Sequence, residues 1–220
     1  MSRGGGREMS FMSILTLGFL LGIKHSLEPD HVIAVATTAG NTKKLSRSTL
    51  TGAYWGIGHT CTLFLIGMLF IWMKGETPES LSMMLEFGVG IMLVILGARS
   101  LLKARPNITN EKDGYRPFLV SALIGFVHGL AGSAAMVILT MSTVTGIGEG
   151  SIYIIIFGAG TIIGMLCFTT IVGIPFALNG KNIGLSRTFI KLAGAISFVF
   201  GLYYIYKLGI TEGLFALWAY

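Results

Sequence analysis

Six apolar runs divide this chain, at Phe11–Ala39, Leu50–Met73, Leu81–Leu102, Phe118–Met141, Ser151–Leu178 and Phe189–Tyr206. Polar and charged residues gather between them, and the stretches Leu50–Met73, Pro117–Gly148 and Gly150–Gly180 carry no formal charge. Uncharged runs of about 18 residues or more read as membrane spans. Lipid offers no partner for unpaired backbone groups, so each run is expected to be a helix. The pattern predicts an all-α polytopic membrane protein with six transmembrane helices.

Lys and Arg orient those helices. The first connection holds Lys43, Lys44 and Arg47, the third Lys103, Arg105, Lys112 and Arg116, and the fifth Lys181 and Arg187. The second holds Lys74 and the fourth neither residue type. Positive loops stay in the cytoplasm, which places both termini outside. Arg99, Lys191 and Lys207 sit near span ends, where long basic side chains reach for the headgroups. The expected layout is a polar segment at 1–10, one six-span domain at 11–207 and an interfacial tail at 208–220. The opening ten residues are too short and polar for a signal peptide, and Met9 and Met12 are equally acceptable starts, so residues 1–8 carry no structural weight.

Composition removes whole classes of function. The chain is 53% hydrophobic and 12% charged, with a mean hydropathy of +0.76. A soluble domain carries roughly 25% charged residues, so a water-soluble enzyme is excluded. The net charge of +6 forms no patch or aromatic-interleaved strip, which argues against a nucleic-acid partner. The expected surroundings are a lipid bilayer.

A self-comparison finds two related halves, about 11–105 and 115–207. At an offset of 103, Gly22, His25 and Leu27 align with Gly125, His128 and Leu130. At 104, Gly90, Gly97 and Lys103 align with Gly194, Gly201 and Lys207. Three spans per half invert the second half relative to the first, an architecture in which the substrate site lies at the repeat interface. The 31 glycines, twice the usual share of about 7%, fall mostly inside spans, where they let helices approach closely.

All four histidines, His25, His31, His59 and His128, lie within spans. Ionisable groups at membrane depth are expensive and mark a pathway. On a regular helix, positions 25 and 31 point about 120° apart and do not converge. Pro29 resolves this, because proline breaks the helix it interrupts. Residues 11–39 as one helix would also measure ~43 Å against a hydrocarbon core of ~30 Å. The first helix is therefore expected to be broken, with residues 25–30 unwound around a cavity. Lys24 and Glu28 are spaced as an i, i+4 ion pair, and that reading of Glu28 stands ahead of a place for it among the ligands. Asp30 has no such partner, so its expected companions are the imidazoles, as a ligand or as an orienting group. His59 lies between glycines of the second span. Small residues surround His128, so the Ser133 hydroxyl is a further candidate. Imidazoles with one carboxylate suit nickel, cobalt, zinc or copper, and disfavour magnesium and calcium.

The spacing His25-x4-Asp30-His31, together with Gly58-His59-Thr60, resembles the signature of the nickel/cobalt transporter family. The match runs from Met12 to about Lys207 and is nearest to the UreH-like branch. The resemblance implies transport of Ni2+ or Co2+ across the cytoplasmic membrane of a prokaryote, with nickel supplied indirectly to urease maturation proteins. It implies metal ligands at His25, Asp30, His31 and His59; the internal repeat adds His128, and Glu28 and Ser133 stand as further candidates from their positions alone. Larger members carry an acidic motif where this chain has His128-Gly-Leu-Ala-Gly-Ser133. Efflux members often carry a His-rich loop, and residues 103–116 contain no histidine, which favours uptake over efflux.

Two other classes compete. Cys61 and Cys167 occupy near-equivalent places in the two halves, as a membrane thiol–disulfide carrier would require. Neither has a neighbour that lowers a thiol pKa, so both are expected to be buried small hydrophobes. An intramembrane metallohydrolase would need a pair of the HExxH type, which is absent. The chain is expected to be no enzyme and to hold no resident cofactor.

Overall fold

The computed structural model describes residues 11–39, 44–73, 79–102, 115–143, 146–178 and 183–218. Its helices are α1 (Phe11–His25), α2 (Pro29–Ala39), α3 (Leu45–Met73), α4 (Glu79–Leu102), α5 (Arg116–Thr143), α6 (Ile147–Leu178) and α7 (Ile183–Tyr206). A wide π-type turn at Lys207–Thr211 and the short α8 (Leu214–Trp218) follow. No strand occurs among the described residues. Each apolar run has become a helix, except that the first has become two. Among the described residues, three segments are long and apolar enough to cross a membrane: Ser80–Leu102, Ile147–Pro175 and Arg187–Thr211. The bent pair of α1 and α2 makes a fourth if counted as one span. The basic connections at 40–43, 103–114 and 179–182 lie outside the described residues, as does the segment 1–10.

The break is narrower than the expected 25–30. Helix α1 runs to His25, Ser26–Glu28 form a turn, and Pro29 already begins α2. Leu27 and Glu28 donate to the carbonyls of Lys24 and His25, three residues back, so the four-residue ladder lapses there. Ser26 Oγ donates to the Ile23 carbonyl at 2.6 Å, a side-chain bond that competes with the helix. Proline suits the first position of α2, where its missing N–H would have had no helical partner anyway. The two helices bend by 53°. Asp30 and His31 thus lie in the first helical turn of α2 rather than in unwound chain.

Helices α1, α6, α3 and α5 pack in that order as a row, while α4 and α7 form a second pair that α2 touches. Glycine makes these contacts possible, because a Cβ at several positions would strike backbone. At Gly22 it would meet the Phe157 carbonyl on α6, and at Gly125 the Trp55 carbonyl on α3. Gly58 faces Ala122 just as Gly160 faces Phe19, and Gly56 faces Ile162 just as Gly158 faces Thr60. In the second pair, a Cβ on Gly97 would lie 2.6 Å from the Gly194 carbonyl, and one on Gly201 2.9 Å from that of Gly90. Hydroxyls tie the same seams: Ser121 Oγ donates to the Thr51 carbonyl at 2.8 Å and Ser197 Oγ to that of Leu93 at 2.9 Å.

Beyond α7, Leu208 and Leu214 are buried, and the Phe215 ring meets Phe87 of α4 edge-on. Gly213, at φ +82°, makes the turn into α8. The cysteines correct an expectation. Cys61 and Cys167 are free thiols and are exposed rather than buried. In α3 and α6 the polar residues include buried ones such as His59, Thr62, Thr161 and Thr169, so no polar stripe in the sequence marks which side turns outward.

Candidate metal centre

Four helices each deliver one imidazole to the same place. His25 ends α1, His31 lies in the first turn of α2, and His59 and His128 come from α3 and α5. His31, His59 and His128 are buried. His25, His31 and His59 lie 4.4–5.2 Å apart between ring centroids, while His128 lies 4.3 Å from His31 and 6.1 Å from His59. Trp55 closes one side, stacked on His59 at 5.0 Å and packed with Val35 and Met165.

The carboxylates decide which ring nitrogens remain free. His25 Nδ1 donates to Glu28 Oε2 at 2.9 Å, and His31 Nδ1 donates to Asp30 Oδ1 at 3.0 Å. Once Nδ1 carries the proton, Nε2 of each ring presents a lone pair. His128 Nε2 donates to the other oxygen of Asp30 at 2.8 Å. Nε2 of His25 and Nε2 of His59 stand 3.2 Å apart. Two imidazoles held at roughly 100° on one ion, each about 2.1 Å from it, would place their nitrogens about 3.2 Å apart. His31 Nε2, His59 Nδ1, His128 Nδ1 and the Trp55 indole N–H are buried without a hydrogen-bond partner among the described residues. Such an unsatisfied group costs about 1–3 kcal/mol, so a bound partner that engages these atoms would stabilise the cluster.

Two groups of donors meet the spacing of a metal site. Single ligand atoms of His25, His31 and His59 lie within 4.8 Å of one another, and so do those of Asp30, His31 and His128. The expected residues are therefore together, but as two adjoining triplets that share His31. The negative C-terminal end of α1 reaches the site at His25 and favours a cation, while Asp30 offsets the positive N-terminal end of α2. The Lys24–Glu28 ion pair is corrected, because the chain leaves the helix after His25 and Glu28 turns to His25 instead. The Ser133 side chain lies outside the described residues.

Two residues escaped the sequence reading. Trp55 is one, since an aromatic residue in an apolar run carries no signal of its own. Glu86 was legible as a lone carboxylate within the third apolar run. It accepts a hydrogen bond from Ser82 Oγ of its own helix at 3.4 Å and one from the Tyr204 hydroxyl at 3.3 Å, and the second joins α4 to α7.

Comparison with known proteins adds an independent line. The chain is 51% identical to the urease accessory protein UreH of Bacillus sp. (strain TB-90), over 96% of this chain and 98% of that one. It is 30% identical to a protein of Methanocaldococcus jannaschii named provisionally as a nickel/cobalt efflux system, over 85% of this chain and 89% of the other. It is also 31% identical to the chloroplast protein FOR GROWTH AND FERTILITY 1 of Arabidopsis thaliana, over 71% of this chain but 48% of that protein. No family model matches the chain, and no solved structure matches it.

Proposed function

Because the chain belongs to the nickel/cobalt transporter family, in its UreH-like branch, we propose that it carries Ni2+, or Co2+, inward across the cytoplasmic membrane and so supplies nickel for urease maturation. The observation that carries this reading is the gathering of one ring nitrogen each from His25, His31 and His59 within 4.8 Å at the break of the first helix pair. These three nitrogens are the principal ligands in the proposal, with Asp30 and His128 adjoining them. Glu28 and Asp30 hold the far sides of His25 and His31, which fixes ring orientation and raises the basicity of the ligand nitrogen. Their two negative charges balance a divalent cation, which matters where uncompensated charge is costly.

The same proposal includes six spans forming one domain over residues 11–207, with both termini outside. It also includes two inverted halves. The reciprocal glycine contacts support the inversion: where Gly22 of the first half meets Phe157 of the second, Gly125 of the second meets Trp55 of the first. Exchange of partners under an exchange of halves is the mark of two-fold symmetry. The absence of histidine from residues 103–116 supports uptake.

Uptake of 63Ni2+ into cells expressing the protein, with Co2+ and Zn2+ as competitors, tests the reading. Saturable accumulation that Co2+ suppresses more strongly than Zn2+ is expected, whereas accumulation equal to that of cells lacking the protein would refute it. Efflux would show itself as reduced accumulation.

Two further outcomes follow from the ligand chemistry. Imidazole binds metal only when neutral, and its ordinary pKa is about 6.5. Protonation competes with the ion, so nickel affinity of the purified protein is expected to fall on acidification. Equilibrium dialysis at fixed ionic strength between pH 8 and pH 4 measures this, and affinity unchanged or higher at the acid end would count against imidazole ligation. Glu28→Gln retains a carbonyl acceptor for His25 Nδ1 but removes the charge. Affinity is expected to fall about 10-fold, the lower end of the range for losing an outer partner of a ligating histidine. Isothermal titration of wild type and variant compares them, and an unchanged affinity would leave Glu28 without a part in binding.

A further inference from the structure

We infer that Asp30, His31 and His128 form a second station for the ion, to which His31 hands it from the His25–His31–His59 station. The inference rests on the transport reading above and adds the route to it. Ligand atoms of Asp30, His31 and His128 lie within 4.8 Å of one another, a second group of metal-site spacing beside the first. His128 belongs to this group alone: its ring lies 4.3 Å from His31 but 6.1 Å from His59. Among the described residues its Nδ1 is buried without a partner, and so is His31 Nε2, so the cluster holds more nitrogen lone pairs than its own protons satisfy.

The two stations differ in donor chemistry. Three imidazoles hold a borderline transition metal well, whereas a set containing a carboxylate is harder and suits it less. A conducting pathway needs such a step, because an ion bound strongly at one place alone does not leave it. The stations also differ in origin. His25, His31 and His59 all come from the first half of the chain, while His128 comes from the second and aligns with His25 under the repeat. Both stations use His31, and neighbouring rings are only 4.3–4.4 Å apart, so they are alternatives for one ion rather than two sites filled together. Binding at equilibrium should therefore reach one ion per chain.

His128→Gln separates this role from a positioning one. Its amide N–H can still donate to Asp30, as His128 Nε2 does, but it offers no imidazole nitrogen to a metal. With the purified variant, nickel affinity by equilibrium dialysis is expected to stay within about 3-fold of wild type. Maximal 63Ni2+ flux in proteoliposomes, normalised to binding-competent protein, is expected to fall about 10-fold or more with the half-saturating concentration unchanged. His59→Ala, in the first station, should lose binding and flux together. Wild-type flux in His128→Gln would overturn the inference, since His128 would then serve only to position Asp30. An affinity loss as large as that of His59→Ala would overturn it too, since all five residues would then be one site. Both results leave the transport reading standing. Undiminished binding and flux in His59→Ala would instead bring down that reading.

Discussion

Replacing His31 with alanine should weaken nickel binding by roughly 100-fold and abolish transport. His31 is the one residue common to both donor triplets, and its buried Nε2 is free while Asp30 holds its Nδ1. Sites of four ligands bind divalent metal with about 10–16 kcal/mol, or about 3 kcal/mol per ligand. Losing one ligand therefore lowers affinity by roughly 100-fold. A second cost comes from Asp30, which would keep His128 but lose the His31 N–H and be left with an unpaired oxygen in a half-buried place. Titration of nickel into the purified variant measures the loss, and proteoliposome flux should fall to the background of empty vesicles. An affinity within 3-fold of wild type would remove His31 from the coordination shell.

Valine at Gly22 is the second substitution with a large expected effect, and it acts on the scaffold rather than on the ligands. A Cβ there would collide with the Phe157 carbonyl of α6, and backbone in the middle of a helix cannot swing aside as a side chain does. The helices must separate, and overpacking of this kind costs about 3 kcal/mol or more. A domain of this size would lose roughly 10 °C in Tm. Gly125→Val should cost as much, because the Trp55 carbonyl stands in the corresponding place. A Cβ added at Gly88 would meet nothing within 4 Å, so Gly88→Val is the matched control and should leave Tm within about 2 °C. Equal thermal unfolding of all three variants in detergent would contradict the packing of α1 on α6 and of α5 on α3.

The sequence reads well where a residue's chemistry is local. Pro29 announces the break, and the apolar runs announce the helices, because both signals act within a few residues of themselves. The end of α1 at His25 was not legible, since it depends on Ser26 taking the Ile23 carbonyl. The Lys24–Glu28 pair failed for the same reason: the spacing rule assumed a helix that stops short of Glu28. Asp30 was readable as a partner for imidazoles, but its contact with His128 spans 98 positions and exists only once α2 and α5 meet. The division into two triplets turns on which ring nitrogen faces which carboxylate, and sequence spacing carries no such information. Glycines were legible as small residues, while the carbonyl each one faces belongs to another helix.

The central claim is that buried imidazoles at the broken helix pair coordinate the transported ion, and nickel K-edge X-ray absorption of the loaded, purified protein tests it most directly. The account predicts a first shell of nitrogen and oxygen at about 2.1 Å, with the outer-ring scattering of three imidazoles and one nickel per chain. The imidazole count should drop by one in His59→Ala, if that variant is loaded at high nickel. A shell of oxygen without imidazole scattering, or one containing sulfur from Cys61 or Cys167, would contradict it.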